Sequence, residues 1–515
     1  MITSTLVRRF PKTLLAALTL CFMLATSCEV FGQVPSAGPR VLQVGNYKGK
    51  AGQFSTVQAA VNAARPGDWI LIAPGTYHEK GTPIAGVLVT TPGIHLRGLD
   101  RNGVVIDGTN QGYGACSSNP AAQDFGVSNW GRNGIEIYQV DGVSIENLTV
   151  CNYLGDAYGN AGNEIWWNGG DGSGQIGLGP YSGSYLTASS TFFQVGNPQV
   201  AQYGIFVSNA KGPGSVTYSY ASNMGDSGFY IGACADCNAT LRWVHAQNNP
   251  QGFSGSNSGG HLVLEDSEWD HNQAGIVPSS LAVFDPPSPQ SGACPNDPDA
   301  SCTLIQRNYI HDNNNPNTPA SGLAATVAVG TGIDLSGSQN DTVQFNYIAN
   351  NGAWGTIFVP YPDSGGPCTG GTQLGSTCIY DESGDALIGN TYSHNGFFGN
   401  PTNSDIGNAV LPYPGNNCFQ GNVNLESPKV SSSPNNIQSI AGACGKPWAP
   451  NTKQEVVLQE ELGCASLGLC AGAGVPIPLP PPTYPRPSGV KMLPIPHDPG
   501  MANACAGVPQ NSWCQ

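Results

Sequence analysis

A short β-type run opening on glycine recurs along the middle of the chain: GIFVS at Gly204, GFYIG at Gly228, GFSGS at Gly252, GIVPS at Gly275, GIDLS at Gly332 and GTIFV at Gly355. The successive steps are 24, 24, 23, 57 and 23 residues. A period in the low twenties, built from brief apolar runs broken by Gly and Asn, predicts a solenoid whose coils stack and share one core. Because strand side chains alternate sides, one column of this strand faces outward: Glu136, Phe206, Tyr230, Ser254, Val277, Asp334 and Ile357.

A second pattern runs inside the first. An apolar residue is followed at plus three by a small polar residue, at plus five by an apolar one and at plus eight by Asn, as in Leu264, Ser267, Trp269 and Asn272. Ile305, Asn308, Ile310 and Asn313 repeat it, as do the sets beginning at Val343 and Leu387. Two strands joined by a tight turn fit this spacing, with the apolar residues inward and the Asn amides stacked into ladders. Adding the Gly strand gives three strands per coil.

This repeat resembles the right-handed parallel β-helix of the pectin-lyase-like superfamily over residues 54–425. The opening PGDWILIAPGTYHE through GIHLRGLDRNGVVIDG is similar to the start of many secreted bacterial β-helix proteins. GTYHE also matches a G-x-Y-x-E element of pectin methylesterases, but their other signatures are absent, so it reads as scaffold. The paired-Asp, Gly-His-Gly and Arg-x-Lys motifs of polygalacturonases and the Asp-Pro-His-Glu of mannuronan epimerases are absent too. The resemblance implies an all-β fold and a polysaccharide or glycan partner lying along a groove over the Gly-strand sheet.

Around this body the chain divides further. Arg8, Arg9 and Lys12 precede an apolar run from Leu14 to Ala25, which reads as a secretory signal over residues 1–32, with a lipid anchor through Cys28 as the alternative. Residues 33–53 form a polar lead-in. Phe54, Val57, Val61 and Ala64 have helical spacing, and Ser55 with Gln58 makes a capping box, so a short helix should plug the first coil. Insertions are expected at 151–203, 278–303, 314–331 and 360–384. Residues 426–515, Pro- and Cys-rich, form a C-terminal cap or tail.

Charged residues are only 10% of the chain, and Gly numbers 69, which suits long polar turns around a large core. Without residues 1–32 the chain carries 16 basic and 33 acidic residues, a net charge of −17. That disfavours nucleic acid and acidic membrane surfaces as partners. No later stretch reads as transmembrane, and a secreted monomer is expected. Fourteen cysteines follow position 115. Close neighbours pair naturally as local disulfides of an oxidising compartment: Cys234 with Cys237, Cys294 with Cys302, Cys368 with Cys378, Cys418 with Cys444, Cys464 with Cys470 and Cys505 with Cys514, leaving Cys116 and Cys151.

Candidate chemistry is sparse. Trp166, Trp167, Tyr181 and Tyr185 lie among glycines in the 151–203 stretch and, with Phe206, Tyr230, Glu136 and Asp334 of the groove, are the candidate glycan-binding residues. Glu136 and Asp334 are too far apart to act as a hydrolytic carboxyl pair. For hydrolysis, Asp226 at the mouth of the Tyr230 rung could join a loop carboxylate such as Asp171; a lyase needs a base and a charge neutraliser, either a cation such as Ca²⁺ or a basic residue, for which Arg132 and Lys211 are the candidates. Asp270, His271, His311 and Asp312 occupy the same turn on successive rungs and are candidate metal ligands. Two readings stand: a secreted protein that binds or processes polysaccharide, lyase-type if catalytic, and a non-catalytic surface, adhesion or structural rod.

Overall fold

The computed structural model describes residues 38–126, 131–156, 162–194, 200–280, 302–321, 326–363, 368, 371–409, 417–441, 452–467 and 483–515. The signal segment, Cys28, Cys294, Cys444 and Cys470 lie outside the described residues.

Three parallel ladders of strands run the length of the coil. The first begins at Val41–Val44, inside the expected lead-in, where Val41 pairs with Trp69. Leu42, Ile70, Leu96 and Ile145 then follow one another inward on successive rungs. The helix therefore begins before Phe54, because VLQV buries three of its four residues against the second coil. In the second ladder Ile106, Val150, Ala188, Ala221, Ala246, Trp269, Ile310 and Ile348 form one inward column. The third ladder is the Gly-strand sheet, eleven strands from Ala85–Val89 to Ser432–Ser433. Every pairing along the three is parallel, the architecture of a parallel β-helix.

Packing explains the sequence periods. Where the second ladder offers only Ala221 and Ala246, the Gly-strand sheet supplies Phe229 and Phe253; where it offers Trp269, the indole meets both phenyl rings edge-on at 5.9 and 6.2 Å. The recurring glycine is required by close approach. A Cβ on Gly275 would stand 2.6 Å from the carbonyl oxygen of Gly332, and one on Gly332 2.3 Å from that of Gly355.

The Asn repeat forms two ladders of amides. The backbone N–H of Asn272 donates to Asn313 Oδ1 at 3.2 Å, and Asn313 does the same to Asn351 and Asn351 to Asn395. The other ladder runs Ser267, Asn308, Asn346, Asn390, Asn422, and Gln438 Oε1 closes it by accepting from Asn422 N at 2.9 Å. Turns that would leave buried amides unpaired are thereby satisfied.

At the first coil the helix is Val57–Ala63, capped by Thr56, whose Oγ1 accepts from Ala59 N at 3.3 Å. The expected Ser55–Gln58 box is not formed. Glu79 takes its place, accepting from Val57 N at 2.6 Å and Gln58 N at 3.2 Å, while Gln58 turns to Leu88. The GTYHE element is thus scaffold.

The 151–203 stretch is more than an insertion, since Gly162–Asn168 and Tyr181–Ser189 are strands of the coil. The tail likewise does more than close the far end. Helix Thr452–Leu467 packs Leu458 and Leu462 onto Trp354 and Ile357, on the outer face of the Gly-strand sheet. Residues 483–515 then run back along the whole rod as an extended strap. Thr483 is held by Asn400, Ser488 by Asn317, Lys491 by Asn248, Leu493 by Asn223, Met501 by Asn147 and Asn511 by Gln43 of the first rung. Trp513 ends the strap against Leu71 and Ala73.

Disulfides join Cys234–Cys237, Cys368–Cys378 and Cys505–Cys514, and also Cys116–Cys151, the pair left over by proximity in sequence. Cys302, Cys418 and Cys464 are disulfide-bonded as well. No helix among the described residues is long and apolar enough to cross a membrane.

Candidate functional site

The outward column of the Gly-strand sheet is built as the period requires, with one rung more. Glu136 pairs with Trp166, Trp166 with Phe206, Phe206 with Tyr230 and Tyr230 with Ser254; farther along, Asp334 pairs with Ile357. Trp166 is therefore a floor residue of the groove and not part of a loop. Glu136 and Asp334 stand six rungs apart, about 29 Å at sheet spacing.

The groove is not equally open along its length. Helix Thr452–Leu467 covers the Trp354 and Ile357 end, and Asp334 is buried, with its Oδ1 unpartnered. Burial pushes its carboxyl up to about 7. Beside the entry to the Gly strands the segment after Tyr309–His311 comes close, with Ser321 Oγ donating to Gln202 Oε1 at 3.0 Å.

At the other end the rings form a stack. Trp166 lies on Phe206 with centroids 4.9 Å apart and planes 12° from parallel, and Tyr203 covers the second face of Phe206 at 4.5 Å. Tyr230 meets Phe206 edge-on at 4.8 Å and is itself buried. The indole is fixed by Trp166 Nε1 donating to Ser208 Oγ at 3.0 Å. Among the described residues Trp166 is stacked on one side only, and its neighbour on the other side is the rung of Glu136.

That rung is polar. Glu136 accepts from Asn133 Nδ2 at 2.8 Å and from Asn168 Nδ2 at 2.9 Å, and Asn163 Nδ2 donates to Asn133 Oδ1 at 2.8 Å. Asn163 Oδ1 has no hydrogen-bond partner among the described residues. Burial raises the Glu136 carboxyl above its usual range, and the two amide donors limit the rise. Glu136, Asn133, Asn163 and Asn168 are themselves buried, so half-buried Trp166 is the accessible part of this rung; its ring suits the apolar C–H face of a sugar, with the polar groups lying beneath.

The other candidates separate. Trp167 and Tyr181 are in the core, their rings 5.9 Å apart, and cannot bind ligand. Tyr185 lies on another face, stacked on Tyr218 at 4.7 Å. Arg132 is buried, donating to the carbonyls of Gly108, Asp124 and Glu79 and paired with Asp124 at 3.2 Å, so it is a structural residue and not a base. Lys211 is exposed at the turn after the Phe206 strand. Asp226 accepts from Tyr203 Oη at 3.3 Å and Gln202 Nε2 at 3.4 Å.

The proposed metal ligands do come together, on a different face. Asp270 and His311 are partners in the second ladder, and Glu268 and His245 join them there. His271 and Asp312 bond to their chain neighbours Asp270 and His311 instead. The signal for His245 was present: Leu241, Val244, Ala246 and Asn249 keep the plus three, plus five, plus eight spacing, with Val in the small polar place.

No protein-family model and no curated protein matches the chain. Among solved structures it is similar to the A-module of mannuronan C-5 epimerase AlgE4 of Azotobacter vinelandii, at 15% identity over 72% of this chain and 91% of that one, TM-score 0.43. It is similar as well to a mannuronic acid specific polysaccharide family 6 lyase from human gut microbiota, at 13% identity over 74% and 80%, TM-score 0.41. A tailspike protein of E. coli bacteriophage HK620 in complex with a pentasaccharide aligns at 10% identity over 72% and 62%, TM-score 0.40. The parallel coil itself is established by the strand pairing.

Proposed function

We propose that the protein binds an extended neutral glycan in the groove over the Gly-strand sheet, with one sugar ring seated on the face of Trp166 opposite Phe206, above Glu136. The observation that carries this is the one-sided Trp166–Phe206 stack bordering Glu136, Asn133, Asn163 and Asn168. A neutral polymer fits better than a polyuronate because the floor carboxylates lie on a strongly acidic chain and Arg132 is already committed within the scaffold. Asp226, at the start of one Gly strand, and Lys211, past the end of the neighbouring one, stand about 20 Å or more apart by strand spacing and do not form a catalytic pair.

The non-catalytic reading has its own support. Asp226 is about 19 Å from Glu136 by strand spacing, too far for a hydrolytic carboxyl pair, and the C-terminal helix occupies the far end of the groove. Both readings share the binding face and differ in turnover.

The test is a titration of the secreted form with neutral and uronate polysaccharides, with Ca²⁺ and then with chelator, following heat of binding, reducing ends and ultraviolet-absorbing unsaturated ends. Binding of a neutral glycan, weakened about tenfold by Trp166→Ala, is expected from the loss of one aromatic stack. Preference for polyuronate with ultraviolet product overturns the neutral-glycan reading and makes the protein a lyase.

A further inference from the structure

The outer face of the second ladder carries chemistry that glycan binding does not use. On adjoining rungs His245 pairs in register with Glu268 and Gln247 with Asp270; on the next, Glu268 pairs with Tyr309 and Asp270 with His311. Ala246, Trp269 and Ile310 fill the core between them, so the alternate residues are delivered to one small patch outside. His245 Nε2 is 2.5 Å from Asp270 Oδ1, and His311 Nε2 is 3.1 Å from Glu268 Oε1. One ligand atom from each of His245, Glu268 and Asp270 falls within 4.8 Å of the others.

Asp270 and His311 are braced from behind. His311 Nδ1 faces Asp312 Oδ2 at 2.7 Å, which aims Nε2 at Glu268. Asp270 Oδ2 is held by His271, leaving Oδ1 for His245. A left-handed backbone at both His271 and Asp312 (φ 54° each) turns these side chains back on their neighbours. The His311 ring is clamped by Tyr309, stacked at 3.7 Å. Carboxylates that orient imidazoles, and imidazoles that orient carboxylates, are the outer bracing that metal centres use.

We propose that His245, Glu268 and Asp270 bind a divalent transition ion of the zinc class, and that His311, whose Nε2 touches Glu268 but lies outside the common 4.8 Å reach of that triad, moves in as fourth ligand on binding. Two imidazoles and two carboxylates match the nitrogen and oxygen preference of such ions, whereas a calcium site takes six to eight oxygens. The two carboxylates balance the charge of a dication. The bland alternative is an ion-pair network between histidinium and carboxylate, which would have no affinity for metal.

Cobalt(II) serves as the probe because its visible spectrum reports coordination. The full secreted chain, stripped with chelator and held near pH 7.5, is titrated with Co²⁺ while absorbance and bound metal are measured. About one equivalent with visible bands of four- or five-coordination is expected. His245→Gln and Glu268→Gln should each weaken uptake at least tenfold, and Asp312→Asn, acting only through His311, by about tenfold. His261→Gln, on the separate His261–Asp236 pair, should change nothing. Thermal melting checks that each variant is folded; should His245→Gln fail, the half-exposed Glu268 carries the test. No stoichiometric uptake, uptake unaltered in Glu268→Gln, or displacement of Co²⁺ by equimolar Ca²⁺ overturns the proposal.

Discussion

The indole of Trp166 and the phenyl ring of Phe206 lie nearly parallel, 4.9 Å apart, on adjacent rungs of the Gly-strand sheet, and Tyr203 closes the far side of Phe206. Phe206 is thus a support stacked by both Trp166 and Tyr203, while Trp166, among the described residues, is stacked by Phe206 alone. Phe206→Ala should weaken glycan binding about tenfold through loss of that support, yet shift the melting temperature little, because neither ring belongs to the core. Calorimetric titration beside thermal melting separates the two effects; a large loss of stability with unchanged affinity would assign the stack to folding.

Two acids stand where the other ladders use Asn. Thr303 N donates to Asp341 Oδ1, Asp341 N to Asp385 Oδ1 and Asp385 N to Asn417 Oδ1, while Oδ2 of both aspartates meets no well-aligned donor among the described residues. Burial pushes the Asp341 carboxyl up to about 7 and that of Asp385 well above its usual range. A carboxyl whose folded pKa exceeds its unfolded value of about 3.9 stabilises fully below that value and loses the contribution as pH rises through the folded pKa. The melting temperature should therefore fall from about pH 4 to about pH 7 and, through Asp385, somewhat beyond. Asp385→Asn should flatten that fall and raise the melting temperature near pH 8. Asp334 and Glu455, also pushed to about 7, act in the same sense, so some slope remains.

The middle of the Asn ladder should be the least forgiving place in the scaffold. Asn346 accepts from Asn308 N at 2.9 Å and donates to Ile305 O and Asn390 Oδ1, both at 2.9 Å, all of it buried. Asn346→Ala leaves several groups unpaired at about 1–3 kcal/mol each. Denaturant unfolding should show a loss of about 3 kcal/mol or more, far larger than for Asn102→Ala, which removes one bond to Asp498 O at the strap.

The strap makes the chain's last residues part of its first coil. Arg97 donates to Ala506 O at 2.5 Å, Lys50 Nζ to Ser512 O at 2.7 Å, and Trp513 Nε1 to Lys50 O at 3.1 Å. Ending the chain before Thr483 should lower the melting temperature by several degrees and open the first coil to protease, whereas residues 483–515 of the intact protein should resist cleavage. Unchanged melting would reduce the strap to a surface ornament.

The coil was legible because its residues answer to packing. Gly275 and Gly332 recur where a neighbouring carbonyl excludes a Cβ, and Asn308 and Asn346 recur where a turn needs both a donor and an acceptor. The rung of Trp166 escaped because Glu164 stands at the position that Gly134 and Gly204 hold on either side, so the glycine signal is missing. That glutamate is wholly buried and accepts from Tyr153 N at 3.3 Å. The strap carries no period at all: its backbone is read by turn residues such as Asn147, Asn223 and Asn248, whose spare amides look like ordinary turn chemistry in the sequence. Arg132 looked available because sequence does not reveal that three carbonyls and Asp124 already surround it.

Side-chain footprinting by hydroxyl radicals, with and without a bound neutral oligosaccharide, tests the central claim most directly. Several aromatic groups compete as binding surfaces, including Trp166 with Tyr203 in the groove and the stacked Tyr309 and Tyr347 on another face. Protection of Trp166 and Tyr203 with Tyr309 and Tyr347 unchanged is the predicted result. Protection confined to Tyr309 and Tyr347, or none at Trp166 under saturating ligand, would contradict it.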